Sequence, residues 1–400
     1  MAIIGSQLRE RIEEYLWAEE DLEDHGLVTY GERKLAPSLG LKPRRRRRSR
    51  FAPHIPFLTS ELIKKLIEED QLIIDPPPSP HQIREATLEL RAGFNIYESE
   101  FDLPTEEHVR KYGKKLPGFE NFVLKPGLNY YIESLERLSL PRNWEAVSHT
   151  KSTYGRLGCM CGALDEKYAK VEGGKELKNV MCLFKPLVFP VIVRPMETPI
   201  FQLKISEKGS SYLDRNEIEK AYEKDITLFN EDNEVIPLEN VIENNGLKLT
   251  LSTEKVFVSK EGDFEPIDLT KKEHYDPNDY FELIKTNRED VLIEPRRLYL
   301  CGSNEKVKMG NLIGVLNRED PHIGPGWWTQ TSGYTSPGYI GRMTFELYSF
   351  GKRIVTHNHP AGKIFLESLS GKVENDYSRL GYYQNQESPR LPKVFKLEGN

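Results

Sequence analysis

Two short segments of this 400-residue chain concentrate side chains that can do chemistry. Lys151, Ser152, Thr153 and Arg156 bring two cations and two hydroxyls into six residues around Gly155. They form a cradle for a polyphosphate and for a water molecule awaiting activation, or else a solvated polar turn. In Met343-Thr-Phe-Glu-Leu-Tyr348, β alternation sets Met343, Phe345 and Leu347 on one face and Thr344, Glu346 and Tyr348 on the other. A carboxyl in a partly dry cavity gains proton affinity, which suits Glu346 to general acid and base work near neutral pH. The alternative is an outward charge on an amphipathic strand.

Other chemistries find less support. His357 and His359, two apart, would share a strand face and allow a two-histidine metal site, but a turn with two solvated histidines is the commoner arrangement. Cys159, Cys161, Cys182 and Cys301 include no C-x-x-C pair and are too scattered for a disulfide scaffold, so reduced thiols are expected. With 56 basic against 62 acidic residues the net charge is −6, which excludes a generally basic nucleic-acid coat. A local basic patch survives in Arg44 to Arg48 and Arg50, either a solvated linker or a contact for a phosphate-rich partner. The best apolar run, Cys182 to Val193, is broken by Lys185, Pro186 and Pro190, so no membrane span is expected. No secretory leader pattern opens the chain, and a cytoplasmic location is the expectation.

The elements that must position these side chains are short. Residues 1–56 read as an extension with one amphipathic helix carrying Leu8, Ile12, Tyr15, Leu16 and Leu22. A second helix is predicted from Ser60 to Glu69 with Leu62, Ile63, Leu66 and Ile67 on one face. Beyond Pro76-Pro77-Pro78, brief β-prone runs alternate with Gly, Pro and Asn turns, which argues for sandwich or barrel-like β domains. The chain also resembles itself. Leu124-Lys-Pro126 with Tyr130 matches Ile293-Glu-Pro295 with Tyr299, a shift of 169, and Val193-Arg-Pro195 is matched to Asn358-His-Pro360, a shift of 165. Two tandem copies of one β-rich domain are therefore expected at 57–212 and 213–372, followed by a tail at 373–400.

Motifs in both copies point to a family. The first copy reads Ile73-Ile-Asp-Pro76, Glu85-Ala-Thr-Leu-Glu-Leu-Arg-Ala-Gly93, Leu138-Ser-Leu-Pro141 and Lys151-Ser-Thr-Tyr-Gly-Arg-Leu-Gly158. The second reads Thr331-Ser-Gly-Tyr-Thr-Ser-Pro-Gly-Tyr-Ile-Gly-Arg-Met-Thr-Phe-Glu-Leu-Tyr348, and the tail carries Tyr377 and then Tyr382-Tyr-Gln-Asn-Gln386. Together they resemble the dCTP deaminases of the dUTPase-like superfamily. The resemblance implies a mainly β fold of two tandem dUTPase-like domains (β-clip, jelly-roll-like barrels) with an N-terminal helical extension.

The resemblance also implies roles. Glu346 would shuttle the proton, Ser152 and Arg156 would sit by the reacting base, and Lys151 and Thr153 would lie nearer the phosphates. Thr331, Ser332 and Gly333 would read the pyrimidine edge, with Tyr334 packing on sugar or base and Ser336 beside it; a plain hairpin turn is the other reading. Tyr377, Tyr382 and Gln386 would close over the phosphates as a flexible lid. Mg²⁺ is implied only on the substrate triphosphate, and zinc is not expected, since the H-x-E and P-C-x-x-C signature of zinc deaminases is missing from the sequence. The first copy carries about Cys182 where the glutamate belongs, and the second replaces the Ser/Arg segment with Asn317-Arg-Glu-Asp-Pro-His-Ile323. Such complementary loss suggests one composite site per chain, deaminating dCTP to dUTP and ammonia for pyrimidine deoxynucleotide supply. Ser336 stands where dUTPase-type members carry a water-activating aspartate, which favours deamination alone. Hydrolysis of dUTP, alone or in addition, and a catalytically inactive nucleotide-binding protein are the competing readings. The chain would act as a monomeric pseudo-trimer or a homo-oligomer, with no membrane partner and nucleic acid not favoured.

Overall fold

The computed structural model describes residues 56–118, 120–164, 170–174, 176–209, 212–317, 327–328, 333–374 and 376–396. The expected N-terminal helix, the arginine run, and Thr331 and Ser332 lie outside the described residues. Thr59 starts a helix at Ser60–Glu68, whose Ile63 is buried while Leu62, Leu66 and Ile67 pack on the first core. After it the described helices are at most seven residues long, and strands do the building. No helix among the described residues is long and apolar enough to cross a membrane.

Two large antiparallel sheets form, one from residues 73–207 and one from 226–368. At the centre of the first, Leu88–Ser99 lies between Asn129–Ser139 and Pro199–Glu207; at the centre of the second, Gly246–Ser259 lies between Leu298–Met309 and Pro360–Ser368. The two sheets repeat one local device. The Lys125 N–H donates to the Tyr130 hydroxyl at 2.9 Å, and the Glu294 N–H donates to the Tyr299 hydroxyl at 2.9 Å. Further along, the matching turns carry Met196 and Asn358 in the left-handed region, at φ 66° and 64°. That makes the shift 162 there, rather than the 165 read from the Pro195 and Pro360 match, because equivalent backbone shape overrides a shared proline.

Register also corrects the counterpart of Glu346. Tyr131 pairs with Leu183 and Ile132 with Cys182, while Leu300 pairs with Glu346 and Cys301 with Phe345. Aligned on Tyr130 and Tyr299, Leu183 occupies the place of Glu346, and Cys182 that of Phe345. One position matters, since neighbours on a strand face opposite ways. All four cysteines are buried and free, and burial pushes the Cys161 and Cys301 thiols up to about 12.

The two cores interlock. The first-copy core takes in Phe257, Ile267, Tyr280, Phe281 and Leu300 from the second copy and Leu391, Val394 and Phe395 from the tail. Phe189 is ringed by Phe264, Tyr280 and Phe281 at centroid distances of 4.9, 5.7 and 5.2 Å. A buried ion pair from Lys204 to Glu367 joins strands of the two large sheets. The tail is thus anchored at Leu391, Val394 and Phe395 by apolar burial.

Candidate functional site

A cavity of about 400 Å³ opens where the two copies and the tail meet. The first copy supplies Ser152 and Thr153 from a single helical turn, Ser152–Gly155, and Lys151 and Arg156 from its N- and C-terminal edges. The second supplies Tyr334, Thr335, Ser336, Tyr339, Met343 and Thr344, and the tail supplies Tyr377, Tyr382, Tyr383 and Lys393. Residues about 230 apart in sequence face one space because the sheets that carry them pack together.

The acid and the Ser/Arg turn meet behind the wall. Glu346 is fully buried and does not line the cavity; its carboxyl presses on Gly155. A methyl group there would lie 2.6 Å from Oε2 and 2.7 Å from Oε1, so a residue without a side chain lets the carboxyl approach the turn. Arg156 stacks on the Tyr383 ring at 3.8 Å and donates to the Arg390 carbonyl at 2.6 Å and to Gln386 Oε1 at 3.4 Å. Its Nε is buried with no hydrogen-bond acceptor among the described residues. Gln386 is also behind the wall, its Nε2 donating to Thr344 Oγ1 at 3.0 Å and to the Arg342 carbonyl. Gln386 therefore braces Arg156, and buried Tyr383 with half-buried Tyr377 and Tyr382 forms the tail's side of the cavity. Gly333 is described but does not line the cavity.

The remainder of the wall was not legible as a site. Arg84, Glu85, Glu89, Lys272 and Lys393 all face the cavity. Glu89 accepts from Lys151 at 2.7 Å and from Arg84 at 3.3 Å. Burial pushes its carboxyl up, but those two cations hold it below the ordinary range, so it stays ionised. Glu85 behaves oppositely, since burial dominates and raises its carboxyl; Ser336 Oγ donates to it at 3.5 Å. Lys393 is lowered to about 8, first by burial and then by repulsion from Lys151 and Arg84. Arg84, Lys151, Arg156, Lys272 and Lys393 against Glu85 and Glu89 leave the lining cationic, which suits a polyphosphate. Glu85 and Glu89 sit in a segment singled out by motif, whereas Arg84, Lys272 and Lys393 lie outside every motif.

Burial holds the His149 imidazole down to about 3, so it is neutral; it lies 6.3 Å from the Tyr334 ring. The Tyr334 hydroxyl is buried with no hydrogen-bond partner among the described residues. No three His, Cys, Asp or Glu side chains among the described residues converge as a metal cage.

Comparison with known proteins adds to this geometry. A sequence model described as dCTP deaminase-like matches residues 57–205 and again 212–369. The chain is 24% identical over 183 residues to a dCTP deaminase of Buchnera aphidicola subsp. Baizongia pistaciae, covering 40% of this chain and 95% of that one. It is 26% identical over 110 residues to a dUMP-forming dCTP deaminase of Methanobrevibacter smithii, covering 26% and 57%. In three dimensions it is similar to the crystal structure of a 2′-deoxycytidine 5′-triphosphate deaminase from Agrobacterium tumefaciens, with a TM-score of 0.71 at 20% identity over 80% of this chain and all of that one. At that identity the likeness speaks for the fold.

Proposed function

The chain belongs to the dCTP deaminase-like family, and on that premise we propose that it hydrolyses the C4 amino group of dCTP, giving dUTP and ammonia, in one composite site. The observation that carries the reading is the contact of Glu346 with Gly155, which brings the acid of one copy to the Ser152 and Arg156 turn of the other. The triphosphate lies on Lys151, Arg84, Lys272 and Lys393. The base points to Ser152 and Arg156, with Tyr334 beside it. Glu346 takes a proton from the attacking water, the C4–O bond forms, and the same proton passes to the amino group as the C4–N bond breaks. Arg156, whose Nε lacks an acceptor, stabilises charge developing at the ring. Because Glu346 is enclosed, arrival of the base displaces the Ser152–Gly155 turn from it. Mg²⁺ would be held by the substrate's triphosphate and would neutralise part of its charge, since no carboxylate cage for it converges among the described residues.

A second reading is dUTP hydrolysis to dUMP and pyrophosphate, and one observation favours it. Ser336 alone is a weak base, but the Glu85 carboxyl stands 3.5 Å from its hydroxyl, with raised proton affinity. One assay decides both. The protein is incubated with dCTP and Mg²⁺, and with dUTP in parallel, while ammonia, dUTP, dUMP and pyrophosphate are followed. Ammonia with accumulating dUTP supports deamination alone. Formation of dUMP and pyrophosphate adds the second reaction, and no turnover of either nucleotide overturns both.

A further inference from the structure

The first copy finishes a small sheet with a strand borrowed from the second. Val191–Val193 pairs antiparallel with Phe122–Leu124 on one edge and parallel with Ile267–Asp268 on the other. The borrowed segment is bolted down. Ile267 N–H donates to the Pro190 carbonyl at 2.9 Å, Arg194 pairs with Asp268 at 2.7 Å, and Phe264 packs edge-on against Phe189.

The second copy has the same two strands and no third. Val291–Ile293 pairs with Arg353–Val355 in the matching register, and among the described residues the sheet stops there. Apolar side chains mark the place: Ile354 is 67% exposed, Phe350 55% and Leu292, directly across from Ile354, 47%. The complementary half is on the first copy. Ile267–Asp268 follows the central strand Gly246–Ser259, and the segment following the equivalent strand Leu88–Ser99 begins Glu100-Phe101-Asp102-Leu103. Its Phe101 is 73% exposed, the most open of the large apolar side chains among the described residues. Charges are opposite in sign as well, Glu100 and Asp102 on one side and Lys352 and Arg353 on the other, and docking would exchange the exposed pairs Asp102–Lys185 and Lys352–Glu294 for new ones.

We propose that this chain associates head to tail with a second copy of itself, residues 100–105 of one molecule docking along Arg353–Val355 of the next. The contact would cover the second copy's open edge as Ile267–Asp268 covers the first copy's, but with a different segment, since register matches Ile267 to Glu107 in the helix Glu106–Tyr112. Knob and socket lie on different surfaces, so the interface is heterologous, and its repetition gives a ring or a chain of molecules. The inference does not depend on which reaction the cavity performs.

The test uses the full chain and two variants, Phe101→Glu and Ile354→Glu, in sedimentation velocity from nanomolar to high micromolar concentration. Wild type self-associates with rising concentration, and each variant alone weakens this by about tenfold or more. An equimolar mixture of the two variants then forms a 1:1 dimer and stops, because one intact knob and one intact socket remain. Unchanged circular dichroism shows that the variants, both at exposed positions, are folded. A wild type that stays monomeric throughout overturns the proposal, as does a mixture that fails to dimerise. Amide exchange at Arg353–Val355 that is slow even in dilute monomer overturns it too, since another part of the same chain then covers the edge.

Discussion

The two copies share a scaffold and differ in the chemical groups they carry at equivalent places. Where the second copy holds Glu346, register puts Leu183 in the first; where the first has the Ser152–Gly155 turn, the second runs on from Asn317 with no Ser/Arg motif. A carboxylate is costly to bury and is kept only where a partner group requires it, so a position freed from chemistry reverts to an apolar residue. Leu183 indeed packs on a small cluster with Tyr97, Leu103 and Tyr131. On the composite site proposed above, duplication would let each half lose what the other retains, at the cost of making the interface between them indispensable.

The largest effect expected from breaking this division is on turnover. Glu346→Gln should lower kcat for ammonia release by about 10²- to 10⁴-fold with the fold intact by circular dichroism, and adding Leu183→Glu should not restore it. Next comes the joint itself. Lys204→Ala leaves Glu367 buried without its cation and should destabilise the chain by about 3 kcal/mol, read as a lower urea midpoint. The double change Lys204→Met with Glu367→Leu should recover most of that loss, and a single variant as stable as wild type would show that the copies are held elsewhere. Glu85→Gln separates the two reactions: any dUMP formation should fall about 10²-fold or more while ammonia release from dCTP changes less than threefold or so. The smallest effect concerns Lys393. Burial and neighbouring cations lower its proton affinity, and a bound polyphosphate raises it, so protonation and binding are coupled. The apparent KM for nucleotide should therefore rise by a few fold as pH climbs through about 8, and Lys393→Met should remove that dependence while raising KM at pH 7.

Local spacing carried much of the fold and part of the site. Alternation at Met343 to Tyr348 placed Met343, Phe345 and Leu347 in the second core. The Lys151 to Arg156 cluster, Tyr334, Ser336, Tyr377 and Tyr382 all reached the cavity wall apart from the glycine and the buried Tyr154. These succeed because period-two alternation and turn-forming residues act within a few positions of chain. What spacing could not show was convergence. Lys272 and Lys393 sit in unremarkable polar surroundings in the sequence, and nothing near Glu85 announces Ser336, 251 residues away.

The sequence by itself determined the strands, the repeat, the Lys151–Arg156 turn and the acid-bearing strand, since each is written in neighbouring side chains. Only the tertiary structure decided that Leu183 rather than Cys182 holds the place equivalent to Glu346, that the tail is pinned by Val394 and Phe395, and that Gln386 bonds to Arg156. The physical reason is that strand register and sheet packing are settled by the burial of whole apolar faces. A shift of one residue exchanges inside for outside, and no short stretch of sequence reports which alternative the assembled core selects.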